Sequence, residues 1–150
     1  MTIRIITIGG KSSIAHQTII DEYLKRLPKS HKVEWIIAKH GSGDPASSMA
    51  SEAENILKHI SDSSYMILLD ETGKQLSSPA LSQMVFGSQH ADISIVVGGA
   101  YGVSDSVKQR ADFVWSLSEL VFPHQLVRVL LAEQIYRAYA ISVNHPYHHS

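Results

Sequence analysis

No cysteine occurs among the 150 residues, which removes disulfide frameworks, thiolate nucleophiles and cysteine-ligated zinc from the chemistry open to this chain. A surplus of charge is missing too. Thirteen Lys and Arg against 14 Asp and Glu leave a formal net charge of -1, so no global cationic field draws the chain to nucleic acid. An RNA partner has to be met by a local patch, or by one built from more than one subunit. No apolar run approaches the roughly 20 residues of a membrane span. The first ten residues carry no basic lead-in and no small-residue cleavage site, so the expectation is a protein with no membrane partner that stays in the cytoplasm. Familiar nucleotide loops are absent as well. Gly9-Gly10-Lys11-Ser12 ends like a phosphate-binding loop but lacks its earlier glycine, and Gly98, Gly99 and Gly102 follow G-G-x-x-G rather than the G-x-G-x-x-G of a dinucleotide fold.

The composition that remains, 44% hydrophobic and 18% charged, suffices to bury one core, so residues 1–150 are read as a single domain. Short β-branched runs alternate with segments of helical period, the pattern of an α/β domain with a largely parallel sheet. The expected strands are Ile3–Ile8, Val33–Ala38, Tyr65–Leu69, Ile93–Val97 and Phe113–Leu117. The expected helices are Ile14–Leu27, Ser48–Ile60, Pro79–Phe86, Asp105–Ala111 and Pro123–Ile141. Ser13, Ser78 followed by Pro79, and Ser104 stand where helices begin. The polar stretch Lys39–Ser47 is expected to be a mobile loop, with Pro45 discouraging regular structure.

Three segments at strand ends are candidates for chemistry, because open α/β sheets place ligands there. They are Leu68–Lys74, Val97–Gly102 and Ser116–His124. The glycines of the second either make a tight turn or let a ligand approach the main chain. In the last helix, His124 and Arg128 are four apart, as are Glu133 and Arg137. Each pair can share a helix face, and for Glu133 and Arg137 alone an ordinary surface ion pair is the simplest account. The chain closes on Asn144-His145-Pro146-Tyr147-His148-His149-Ser150, holding three of its nine histidines. This is either a frayed polar end or a group set to exchange protons near neutral pH. With no H-E-x-x-H and no suitably spaced carboxylate, no metal is expected.

Together, L-D-E-T-G-K-x-L-S-S from Leu69 to Ser78, V-V-G-G-A-Y-G at Val96–Gly102, the run Ser116–Ala138 and the terminal N-H-P-Y-H-H resemble the successive signature blocks of the ribosomal large-subunit methyltransferase H (RlmH) family. The resemblance spans nearly the whole chain, with a looser match at Ile3–Lys11. It implies a SPOUT-type fold, a parallel sheet flanked by helices with a deep C-terminal trefoil knot, and a homodimer. It also implies methyl transfer from S-adenosylmethionine to N3 of a pseudouridine in the helix 69 hairpin of 23S rRNA, on the assembled ribosome. Carried over block by block, the cofactor contacts are Leu69, Gly98, Leu117, Ser118, Glu119, Leu120, Val121 and Phe122. The imide N–H must lose its proton, so His148 and His149 are expected to handle or orient it, Tyr147 to contact the base, and Arg128 or Arg137 to position phosphate or substrate. The family often has a more basic residue where this chain has His149-Ser150. Two other readings stay open: a SPOUT methyltransferase acting on another RNA such as tRNA, and a nonenzymatic nucleotide-binding or ribosome-associated module of flavodoxin-like shape.

Overall fold

The structure is a computed structural model and describes residues 1–99 and 101–149. Ala100, inside the glycine-rich segment, and Ser150, at the end of the terminal block, lie outside the described residues. Five strands and five helices alternate: β1 Thr2–Ile8, α1 Ile14–Leu24, β2 Lys32–Ala38, α2 Pro45–Leu57, β3 Tyr65–Gln75, α3 Ser78–Val85, β4 Asp92–Val97, α4 Asp105–Arg110, β5 Phe113–Ser116 and α5 His124–Ser142. The strands form one parallel sheet in the order β2-β1-β4-β3-β5.

Alternation along the strands separates two cores. Ile3 and Ile5 of β1, Ile67 of β3 and Ile93, Ile95 and Val97 of β4 pack with Leu81, Val85, Leu131, Ile135 and Ala138. On the opposite face Ile6, Ile8, Met66, Leu68 and Val96 meet Ala53, Ile56 and Val107. Helices α3 and α5 thus cover one face while α2 and α4 cover the other, which is why these strands read as nearly continuous apolar runs. The broad apolar surface of α5 is used within the chain, since α5 packs on α1 and α3 as well as on the sheet.

Local chemistry sets the boundaries and in several places departs from the expectation: Ser77 rather than Ser78 caps α3, accepting from the Ala80 amide at 3.3 Å. Lys39–Ser47 is not loop throughout. Asp44 caps α2 by accepting from the Ser47 amide at 2.9 Å, and Pro45 occupies the first helical turn, where its missing N–H costs nothing and its fixed φ favours the helix. Helix α1 stops at Leu24 and tightens into a turn, with Leu27 N–H on the Leu24 carbonyl at 3.2 Å, just before Pro28. Strand β3 continues to Gln75 through polar residues, after a register shift against β5 between Leu69 and Lys74. Leu69 and Lys74 both pair with Trp115 there, so the residues between them bulge from the carboxyl edge of the sheet.

Candidate active site

The carboxyl ends of β4, β3 and β5 are neighbours in the sheet, so the segments leaving them converge. They enclose a cavity of about 580 Å3. Its walls are the β3 bulge with Leu69, Asp70 and Thr72, the glycine turn with Gly98, Gly99 and Gly102, and the segment after β5 from Leu117 to Phe122. Trp115, 3% exposed, and Val127 of α5 add apolar surface. Of the candidate residues, Leu69, Gly98, Leu117, Ser118, Glu119, Leu120, Val121 and Phe122 are all brought to this one cavity.

Each wall has a local cause. In the bulge, Asp70 Oδ1 accepts from the Thr72 amide at 2.9 Å and the Thr72 hydroxyl at 2.6 Å, turning the chain at the mouth. Burial by itself would raise the Asp70 carboxyl pKa. The two Thr72 hydrogen bonds and the nearby Lys108 ammonium outweigh it, so the group lies below the usual carboxylate range and stays ionised. The glycine turn closes with Gly102 N–H on the Gly99 carbonyl at 3.1 Å, and Gly102 has a φ of +78°, a conformation that favours glycine. Gly98 is required for a different reason. A Cβ there would stand 2.7 Å from Val103 Cγ1, and Val103 is itself buried. Gly98→Ala is therefore expected to destabilise the protein by about 1–3 kcal/mol through overpacking, read as a lower denaturant midpoint at an unchanged m-value. In the third wall Ser118 Oγ accepts from the Leu120 amide at 3.0 Å and the Ser116 hydroxyl donates to the Ser118 carbonyl at 3.0 Å. These bonds leave Leu120 and Val121 73% and 86% exposed at the rim.

Two residues at the start of α5 hold this edge together, each through partners far away in the chain. His124 Nε2 meets the Gly98 carbonyl at 3.0 Å. Arg128 is 1% exposed and donates to the Gly10 carbonyl at 2.8 Å, the Ser12 hydroxyl at 3.4 Å and the Ile8 carbonyl at 3.4 Å. The groups that Arg128 positions directly are thus main-chain carbonyls at the end of β1, and it does not line the cavity. The sequence spacing placed these side chains on one helix face but did not reveal their partners, which lie 26 and about 120 residues away. Asp70, Thr72, Lys108 and Trp115 were not singled out from the sequence either. The first two lay inside a recognised segment, whereas Lys108 and Trp115 reach the cavity only through the packing of α4 and β5.

Through His149 the terminal block is folded back rather than frayed. Asn144 ends α5 in the left-handed conformation at φ 55°, and His145 N–H returns to the Ala140 carbonyl at 2.8 Å, a Schellman-type closure that folds the tail back. The Tyr147 ring meets Tyr136 edge-on at 4.8 Å and lies 4.8 Å beneath the Arg137 guanidinium. Glu133 Oε1 accepts from Arg137 Nε at 2.9 Å, Arg137 Nη2 at 2.6 Å and the Tyr147 hydroxyl at 3.0 Å. Arg137 Nη1 lies 3.3 Å from His148 Nδ1, so an arginine donor there makes Nδ1 the acceptor and puts the proton of a neutral ring on Nε2. Burial, then hydrogen bonds involving Tyr23 and Glu133, push the Tyr147 phenol well above its ordinary value. The Glu133 pairing raises the Arg137 guanidinium above its own. His149 is exposed. Tyr147, His148 and Arg137 form one cluster, but none of them, nor His149, lines the cavity of the same chain. Among the described residues no group of three or more His, Asp or Glu is arranged to hold a metal, and no helix is long and apolar enough to cross a membrane.

Comparison with known proteins gives consistent matches. A family model described as a predicted SPOUT methyltransferase matches residues 1–148. The ribosomal RNA large subunit methyltransferase H of Hydrogenovibrio crunogenus is 43% identical, and that of Methylobacillus flagellatus 40%, each alignment covering 99% of both chains. The protein of the same name from Clostridium botulinum is also 40% identical over 99% of both chains. Among solved structures, a probable methylase family protein from Haemophilus influenzae aligns with 99% of this chain and 70% of its own at a TM-score of 0.58. At 16% identity that likeness concerns the fold alone.

Proposed function

Because the chain is a methyltransferase of the SPOUT family, among the ribosomal RNA large subunit methyltransferase H proteins, we propose that it methylates N3 of a pseudouridine in the helix 69 hairpin of 23S rRNA, on the assembled ribosome, with S-adenosylmethionine as donor. The observation that carries this reading is the convergence of the bulge after Leu69, the glycine turn and Leu117–Phe122 on one cavity. The same reading includes a homodimer, a trefoil knot in the carboxy-terminal part and a cytoplasmic location.

The residues present suit the donor. A cavity of about 580 Å3 is within the usual range for small-molecule sites. Leu69, Trp115, Leu117 and Phe122 offer apolar cover for an adenosine, while main-chain groups of Gly98 and Leu117–Phe122 are at hand for the adenine edge and the carboxylate. Asp70, Glu71 and Glu119 line the same space and favour a cationic ligand over an anionic one. When bound, S-adenosylmethionine supplies a sulfonium methyl whose C–S bond breaks as the new N–C bond forms. The protein has to hold the target nitrogen in line with that methyl and accept the imide proton.

His148 and His149 are assigned to handling or orienting the imide N–H, with Tyr147 contacting the base and Arg137 positioning substrate. Since these residues stand apart from the cavity of their own chain, a homodimer in which the tail of one protomer faces the cavity of the other completes the site. The ribosomal target is supported by the names of the relatives and by the terminal N-H-P-Y-H-H block.

Incubating the protein with methyl-labelled S-adenosylmethionine and ribosomes from cells lacking the modification, then mapping the product, tests donor, substrate and position together. Label at the helix 69 pseudouridine is expected. Label confined to tRNA would select a different RNA substrate, and failure to bind the donor in calorimetry would favour a nonenzymatic module.

A further inference from the structure

We propose that His124 is a positioning residue that staples two walls of the cavity together and so sets its affinity for the methyl donor. The inference rests on the donor reading above and adds a residue to it. His124 follows Pro123 at the first position of α5, directly after the cavity-lining segment Leu117–Phe122. Its Nε2 sits 3.0 Å from the carbonyl of Gly98 in the glycine turn. Among the described residues this is the one side-chain hydrogen bond that joins the Leu117–His124 segment to Val97–Val103. The other side-chain hydrogen bonds of the segment run within it or to Ser116 just before it, and its outermost residues, Leu120 and Val121, are exposed. Among the described residues no other side-chain hydrogen bond ties the two walls, so without it apolar packing alone holds them at this separation.

The bond has a defined polarity. A carbonyl oxygen only accepts, so His124 carries its proton on Nε2 and donates. Burial chiefly, and then the nearby Arg128 guanidinium and His40, hold the imidazole pKa below its ordinary value, opposed by the Gly98 bond itself. The ring is therefore neutral at neutral pH and donates from a single tautomer. The facing groups offer no competing acceptor, since Arg128 is a donor turned to the carbonyls of Ile8 and Gly10 and His40 lies against Glu52 at 3.6 Å. Arg128, one turn further along α5, makes the corresponding tie to the end of β1. The first two turns of α5 thus clamp the ends of two adjacent strands, and His124 serves the strand that borders the cavity.

The test uses the full-length protein and isothermal titration with S-adenosylmethionine, alongside steady-state methylation of ribosomes. Losing one hydrogen bond of this kind corresponds to up to about a tenfold change in affinity. His124→Ala is expected to raise the donor Kd and KM about tenfold while kcat at saturating donor stays within about twofold. His124→Gln, whose Nε2 reaches the place of the imidazole Nε2, is expected to restore most of the affinity, and the shorter His124→Asn is not. Should the alanine variant unfold, the Gln and Asn variants decide the matter on their own. Unchanged donor affinity in the folded alanine variant, no difference between Gln and Asn, or a fall in kcat without a change in KM would overturn the assignment. Failure of the unaltered protein to bind S-adenosylmethionine would instead strike the donor reading itself.

Discussion

Trp115→Ala is expected to destabilise the protein by about 3–5 kcal/mol, the usual cost of truncating a buried tryptophan, and to lower the melting temperature by roughly 10 °C for a chain of this size. Trp115 is 3% exposed and belongs to the core beneath α5. It also pairs with both Leu69 and Lys74 of β3, on either side of the register shift. Truncation therefore removes core volume and, in the same step, the support of the bulge carrying Asp70 and Thr72. Trp115→Phe keeps most of the apolar area and is expected to cost about a third as much. Differential scanning calorimetry of the two variants checks both figures, and equal losses would show that the indole is not packed as described. A companion loss of donor affinity in Trp115→Phe, where stability is largely kept, would reflect the cavity floor rather than unfolding.

Glu133→Ala is expected to lower the methylation rate on ribosomes about 100-fold, at the lower end of what positioned proton-transfer groups contribute, while donor affinity changes less than about threefold. Glu133 touches neither the cavity nor the described part of the glycine turn. Its carboxylate gathers Arg137 and Tyr147, and Arg137 in turn meets His148. Without the carboxylate, the tail loses the acceptor that holds Tyr147, and the Arg137 guanidinium loses the partner that fixes its direction. Glu133→Gln keeps an acceptor oxygen but not the charge, so an intermediate rate is expected. Single-turnover methylation with saturating donor, paired with calorimetric donor binding, separates the two quantities. Parallel loss of binding and rate would mean that the cluster merely supports the fold.

Strand positions were legible because parallel strands covered on both faces leave nearly unbroken β-branched runs, as at Ile3–Ile8 and Ile93–Val97. Helix starts were legible where a side chain caps its own helix, as Ser13 does. Pro45 is an ambiguous signal in the sequence, because proline breaks a helix interior yet favours its first turn, and the distinction depends on whether the preceding Asp44 is engaged as a cap. The polar continuation of β3 gave no apolar signal, since it is stabilised by pairing with β5 rather than by burial. For the candidate cavity, the motif blocks named the wall residues, while Trp115 and Lys108 stayed hidden because their own segments look like ordinary core and surface.

What the order of residues determined alone is whatever depends on near neighbours: period, caps, turns, and the motif blocks that mark the family. The sheet order β2-β1-β4-β3-β5, the burial of Arg128 against carbonyls about 120 residues away and the closure of His124 on Gly98 came only with the tertiary structure. These are pairings between segments far apart in the chain, and their hydrogen bonds and desolvation exist only once the layers have packed. Glu133 and Arg137 show both levels at once. Their spacing of four predicts the ion pair, and only the folded tail supplies the tyrosine and histidine that turn it into a candidate for catalysis.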